Sequence, residues 1–170
     1  MTTEYLLNKE VDRVLAALMP QNRLVMEVAL HTGLRVGDIL AMTPEMLKPN
    51  GWITESKTGK RRQYGLPADL LARIKAQSSE KWAFPGRYGT KPKSRQALWA
   101  DVKRAAKAFR LPQNVGPHSF RKVYAVRLLE KYGSIERVKK ALNHSSPAVT
   151  QIYAMADMLL ERKTARKRKV

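Results

Sequence analysis

Apolar residues recur at helical spacing along most of this chain, interrupted by one stretch with the character of strands. Val11, Val14, Leu15 and Leu18 fall on one face of a helix that Asn8 can cap and Pro20 ends. Leu24, Val25, Val28, Ala29 and Leu30 form a broader apolar stripe, and Gly33 suits the left-handed conformation that closes a helix. Leu34-Arg35 then sits at a tight junction before a short helix, Val36 to Met42.

The period changes between residues 49 and 67. Pro49-Asn50-Gly51 is a turn signal, Trp52-Ile53-Thr54 favours a strand, and the pattern predicts a β-hairpin with Lys57-Thr58-Gly59-Lys60 at its tip. The return strand runs through Gln63, Tyr64, Gly65 and Leu66 to Pro67, which sets up a helix carrying Leu70, Leu71 and Ile74. Trp82-Ala83-Phe84, ahead of Pro85-Gly86, adds a third short strand.

An exposed loop rich in Gly, Pro and basic residues covers 86–95. A long helix follows, with Ala97, Leu98, Val102, Ala105, Ala106 and Phe109 inward and Lys103, Arg104, Lys107 and Arg110 outward. Another begins near Ser119 and carries Val123, Val126, Leu128 and Leu129 to about Tyr132-Gly133. Ser134 can cap the next, Ile135 to Leu142, and Ser145-Ser146-Pro147 starts a last one leading through Val149 and Ile152 to Tyr153. No internal repeat stands out. The expected class is α+β, mainly α: a helical domain with a small antiparallel sheet.

At 170 residues the chain suits one domain. Its 33 Lys and Arg against 14 Asp and Glu give a formal charge of +19, an excess that repels itself unless a polyanion neutralises it. Nucleic acid is the first candidate partner. A membrane partner is not expected, because no apolar run is long enough to span a bilayer and the start carries no signal-peptide pattern. Cysteine is absent, which removes disulfides, cysteine nucleophiles and thiolate zinc sites. Scattered carboxylates and three distant histidines make a poor metal centre, and there is no phosphate-binding glycine loop, so neither metal nor cofactor is expected.

Breaking a phosphodiester with a side chain requires cations around the phosphate, a nucleophile in line with the bond and a proton donor for the leaving oxygen. Three segments offer such groups. In His31-Thr32-Gly33-Leu34-Arg35-Val36-Gly37-Asp38 a glycine turn presents an arginine at a helix start, where its guanidinium can grip two phosphate oxygens. Taken alone, Arg35 is better read as a surface arginine with Asp38 as its charge partner. In His118-Ser119-Phe120-Arg121 one-turn spacing puts imidazole and guanidinium on the same side of a helix; the plainer reading is a capping histidine beside an exposed arginine. In the segment from Leu142-Asn143-His144 to Ile152-Tyr153, the tyrosine by itself would be ordinary packing.

Order and spacing add what each segment lacks. An arginine after Thr-Gly-Leu, a lysine on a hairpin, an HxxR near a helix start, then a histidine followed nine positions later by a tyrosine resembles the tyrosine recombinase (phage integrase) family. The resemblance covers the catalytic domain from about Asn8 to Tyr153. Arg35 matches the first family arginine, Lys57 the hairpin lysine, His118 and Arg121 the HxxR pair, His144 the second His-or-Trp position and Tyr153 the nucleophile. Asn143 and Lys122 depart from the glycine and histidine frequent beside those positions.

The resemblance implies double-stranded DNA as substrate and a 3′-phosphotyrosyl intermediate, with resealing that needs neither metal nor nucleotide. Arg35 and Arg121 would hold the non-bridging oxygens, His118 and His144 would donate hydrogen bonds and manage protons, and Lys57 would protonate the departing 5′ oxygen. It also implies a tetramer on DNA, allows accessory DNA-bending proteins as partners, and fits action in the cytoplasm, on the bacterial nucleoid or for a phage or plasmid in its host. The domain would span residues 1–156, with 157–170 a basic tail, as an excised catalytic domain or a naturally short recombinase. Rival readings are relaxation of DNA in the manner of a type IB topoisomerase, a DNA-binding regulator with an inactive site, and, last, RNA binding.

Overall fold

The computed structural model describes residues 4–142. Among them are seven helices and one hairpin: α1 (Asn8–Ala17), α2 (Pro20–Thr32), α3 (Val36–Leu40), β1 (Asn50–Thr54), β2 (Arg61–Gly65), α4 (Ala68–Gln77), α5 (Arg95–Ala108), α6 (Pro117–Tyr132) and α7 (Ile135–Leu142). A single 3-10 turn, Pro44–Met46, leads into β1. The mainly helical class with a small antiparallel sheet is as the apolar pattern indicates.

The described residues fall into two compact units, divided between Tyr124 and Ala125. In the first, α2 is the central element, with Leu24, Val25, Met26, Val28 and Ala29 buried, and it packs against α1, α3 and α4. Pro20 does not end α1, which stops at Ala17; it opens α2, where a missing N–H costs nothing because first-turn N–H groups have no partner within the helix. The start of α2 is instead served from α5. The buried carboxylate of Asp101 accepts hydrogen bonds from the Met19 N–H at 3.0 Å and from Asn22 Nδ2 at 2.7 Å. Burial alone would raise the Asp101 carboxyl, but these bonds and Arg104 more than offset it and hold it below its ordinary range. Asn8 is the first helical residue of α1 rather than its cap, and the Glu10 carboxylate accepts the free Leu7 N–H at 2.7 Å.

Gly33 closes α2 in the left-handed conformation, φ +62°, its N–H donating to Ala29 O at 2.8 Å. A Cβ there would strike the ring of Tyr124. Gly33→Ala therefore carries both backbone strain and a clash, and it is expected to cost about 2 kcal/mol of folding stability. Urea unfolding of the two proteins measures this.

The hairpin pairs Asn50 with Gly65 and Thr54 with Arg61. Trp82-Ala83-Phe84 forms no strand. Ala83 and Phe84 are buried in the core, the Ala83 N–H donates to Met42 O at 2.9 Å, and the pairing that follows is a single antiparallel bridge between Pro85 and Pro92. In the second unit, Gly133 (φ +60°) ends α6, and Ser134 caps α7 by accepting the Arg137 N–H at 3.4 Å. Among the described residues, no helix is long and apolar enough to cross a membrane.

Candidate active site

Alternation along β2 sends Arg62 and Tyr64 inward and leaves Arg61 and Gln63 outside. An inward arginine needs its donors satisfied. Arg62 donates to Gly33 O at 3.2 Å and to Thr32 O, the last carbonyls of α2, where the helix dipole is negative. Arg121, on the first turns of α6 and 3 % exposed, donates to the same Gly33 carbonyl at 2.5 Å. The left-handed turn at Gly33 thus collects two guanidinium groups from two different elements.

A third comes from Arg35, at the N-cap of α3. All three meet the carboxylate of Glu55, the residue after β1, which is fully buried. Oε2 lies 2.8 Å from Arg35 Nη1, and Oε1 lies 3.5 Å from Arg62 Nη1 and 3.8 Å from Arg121 Nη1. Burial alone would raise the Glu55 carboxyl; Arg35, Thr58 and Arg121 together hold it below its ordinary range. The opposite happens to Arg121. Burial, then repulsion from Arg35 and Arg62, bring its guanidinium down to about 10, with Glu55 and Asp38 pulling the other way.

Asp38 does not pair with Arg35. Its Oδ1 accepts from the Ser56 N–H at 2.9 Å and from Ser56 Oγ at 2.7 Å, which ties α3 to the hairpin tip. Lys57 follows Ser56 in that tip, exposed. His118 stands exposed one turn before Arg121, on a groove of about 650 Å³ that it lines with Val36, Arg95, Gln96, Trp99, Ala100 and Pro117. Of the six residues singled out from sequence, Arg35 and Arg121 therefore meet on one carboxylate, Lys57 lies two residues beyond it, and His118 lies one turn from Arg121. His144 and Tyr153 lie outside the described residues.

The model of the Phage integrase family matches residues 4–159, nearly the whole chain. The chain belongs to the phage integrase family. Within this family it is 30% identical over 150 residues to the tyrosine recombinase XerC of Xanthomonas campestris pv. campestris (strain B100), covering 84% of this chain and 46% of that one. The catalytic domain of bacteriophage HP1 integrase has the same fold, with a TM-score of 0.69 at 21% identity over 96% of this chain and 95% of that domain. A lambda integrase tetramer bound to a Holliday junction matches with a TM-score of 0.72 at 25% identity, over 89% of this chain and 48% of that one. The chain thus spans about half the length of the XerC and lambda proteins.

Three guanidinium groups thus surround one buried carboxylate. Arg35 is the outward member of the three, with a side chain 20% exposed. Glu55, Arg62 and the Asp38–Ser56 tie were not found from sequence. One signal was available: Ile53, Glu55 and Arg62 share the inward face, and a buried cation at a strand position calls for a buried anion.

Proposed function

We propose that this chain is the catalytic domain of a site-specific recombinase, residues 1–156 with a basic tail at 157–170, and that it cleaves and rejoins DNA through a 3′-phosphotyrosyl link. The observation that carries this reading is the convergence of Arg35 and Arg121, from the start of α3 and the start of α6, on the single carboxylate of Glu55. A site that gathers cations around a carboxylate oxygen suits a phosphate oxygen equally well.

In the cleavage step the Tyr153 phenolic oxygen attacks phosphorus. The new Tyr–O–P bond forms as the P–O5′ bond breaks, Lys57 supplies the proton that leaves with the 5′ oxygen, and the phenol's proton passes to His118 or water. Arg35 and Arg121 bind the non-bridging oxygens, on which charge builds in the pentacoordinate transition state. His144 adds a hydrogen bond to the same phosphate. Rejoining is the reverse, with a 5′ hydroxyl as the attacking group, so the energy of the broken bond is kept in the ester. This chemistry draws on no metal.

The partner is double-stranded DNA. Aromatic rings with a cation stacked on them stand on the surface at Trp52 with Arg61 and at Trp99 with Lys103, suited to sugar and phosphate contact. Exchange between two duplexes requires self-association on DNA, as in the lambda tetramer on its junction. Action would be in the cytoplasm of a bacterial host.

A nicked suicide substrate tests the reading. Cleavage beside the nick releases a short fragment that diffuses away, so rejoining fails and the protein–DNA ester accumulates. We expect an adduct that survives denaturation and maps by peptide mass to Tyr153; DNA binding without any adduct would make the chain a regulator rather than a recombinase.

A further inference from the structure

We propose that Glu55 is a positioning residue for strand transfer: it fixes the place of Lys57 relative to the arginine pair by holding both ends of that relation in one residue. The inference rests on the reading of Lys57 as proton donor to the 5′ oxygen.

The side chain of Glu55 belongs to the arginine site and its backbone to the lysine turn. On the side-chain half, the carboxylate touches Arg35 and Arg121 and accepts the Thr58 hydroxyl at 3.0 Å. On the backbone half, its N–H donates to Lys60 O at 3.0 Å, and its carbonyl accepts from Gly59 N at 2.9 Å and Thr58 N at 3.3 Å. The turn that carries Lys57 therefore closes on Glu55 from both directions. Ser56 adds a second tether through its N–H and hydroxyl to Asp38 of α3.

These ties matter because a two-stranded hairpin is a weak scaffold by itself. Lys57 is exposed at its tip, and its flexible four-carbon stem leaves the ammonium wherever the backbone puts it. A misplacement of about 1 Å at a reacting group costs on the order of 100-fold in rate. Within three residues the chain passes from a side chain buried among guanidinium groups to one in solvent, so little slack separates clamp and acid. The charge on Glu55 is what the clamp grips. A neutral amide of the same shape grips the turn less firmly, while Arg62 and Arg121 keep their hold on the Gly33 carbonyl.

The test separates proton donation from phosphate binding by changing the leaving atom. A DNA strand with sulfur in place of the bridging 5′ oxygen expels a thiolate, whose conjugate acid has a pKa of about 8.5, and so needs no proton donor. The full chain is assayed on the oxygen and sulfur substrates as wild type, Glu55→Gln, Thr58→Val and Lys57→Ala, with a melting curve for each. Glu55→Gln is expected to slow cleavage of the oxygen substrate about 100-fold and to return within about threefold of wild type on sulfur. Thr58→Val, an isosteric change on an exposed turn, is expected to show a smaller loss with the same recovery. Glu55→Gln slowed equally on both substrates, while Lys57→Ala recovers on sulfur, overturns the proposal and leaves the lysine's role intact. Lys57→Ala that fails to recover overturns the reading of the lysine itself. If Glu55→Gln does not fold, Thr58→Val decides: recovery on sulfur supports the proposal, whereas no loss on oxygen, or equal loss on both, overturns it.

Discussion

Arg121→Ala is expected to lower the rate of DNA strand cleavage by at least about 1,000-fold, a loss on the order of 4 kcal/mol in transition-state stabilisation. Its guanidinium is nearly all buried and fixed by the Gly33 carbonyl at 2.5 Å, and that burial, with repulsion from Arg35 and Arg62, brings it down to about 10. Such a group is desolvated and oriented in advance, so in the proposed reaction a phosphate would gain its attraction without paying to organise it. Arg121→Lys keeps a charge but cannot reach Gly33 O and a phosphate oxygen together in the planar fork, and it should lose most of the rate as well. Single-turnover cleavage of the suicide substrate measures both. A change of less than about threefold, under 1 kcal/mol, would remove Arg121 from the phosphate site. Because Glu55 would be left with Arg35 and Arg62, the alanine variant should still fold, which a melting curve checks.

Tyr153→Phe should abolish the covalent adduct altogether while leaving DNA affinity within about twofold of wild type. The phenyl ring keeps the shape and loses the one atom that forms the new bond to phosphorus. A phenol of ordinary pKa about 10 is a poor nucleophile at neutral pH, and the cluster of guanidinium groups is what would make the phenoxide accessible. Gel-shift and denaturing-gel assays on the same samples separate binding from bond formation. Residual adduct in Tyr153→Phe would mean that another side chain attacks.

The helices were legible because each carries its apolar residues on one face, and the hairpin because Pro49-Asn50-Gly51 and Lys57-Thr58-Gly59 mark a turn and a tip. Trp82-Ala83-Phe84 misled for a physical reason: a short apolar run reads the same whether it pairs in a ladder or plugs a core, and its backbone bonds go singly to Ser79, Met42 and Lys93 rather than along one partner strand. Pro20 was read as a stop because proline disrupts a helix interior, yet the same missing N–H suits a helix start. Asp38 looked like a partner for Arg35 from its closeness in the chain. The folded structure gives it to Ser56, a pairing set by how the hairpin lies over α3 and invisible to local spacing. Glu55 escaped notice for a similar reason: its worth depends on Arg35 and Arg121, which only the tertiary fold brings within reach.

Arg62 and Arg121 lean on a main-chain oxygen at Gly33, and no point substitution can delete a carbonyl. Sequence drift along α2 can therefore leave the anchorage untouched, provided the count of residues between Thr32 and Arg35 stays the same. One residue inserted there would swing that oxygen away and pull two basic side chains out of alignment at once. In this segment the spacing from Thr32 to Arg35 sets the anchorage, and engineered variants should treat it as a ruler of fixed length.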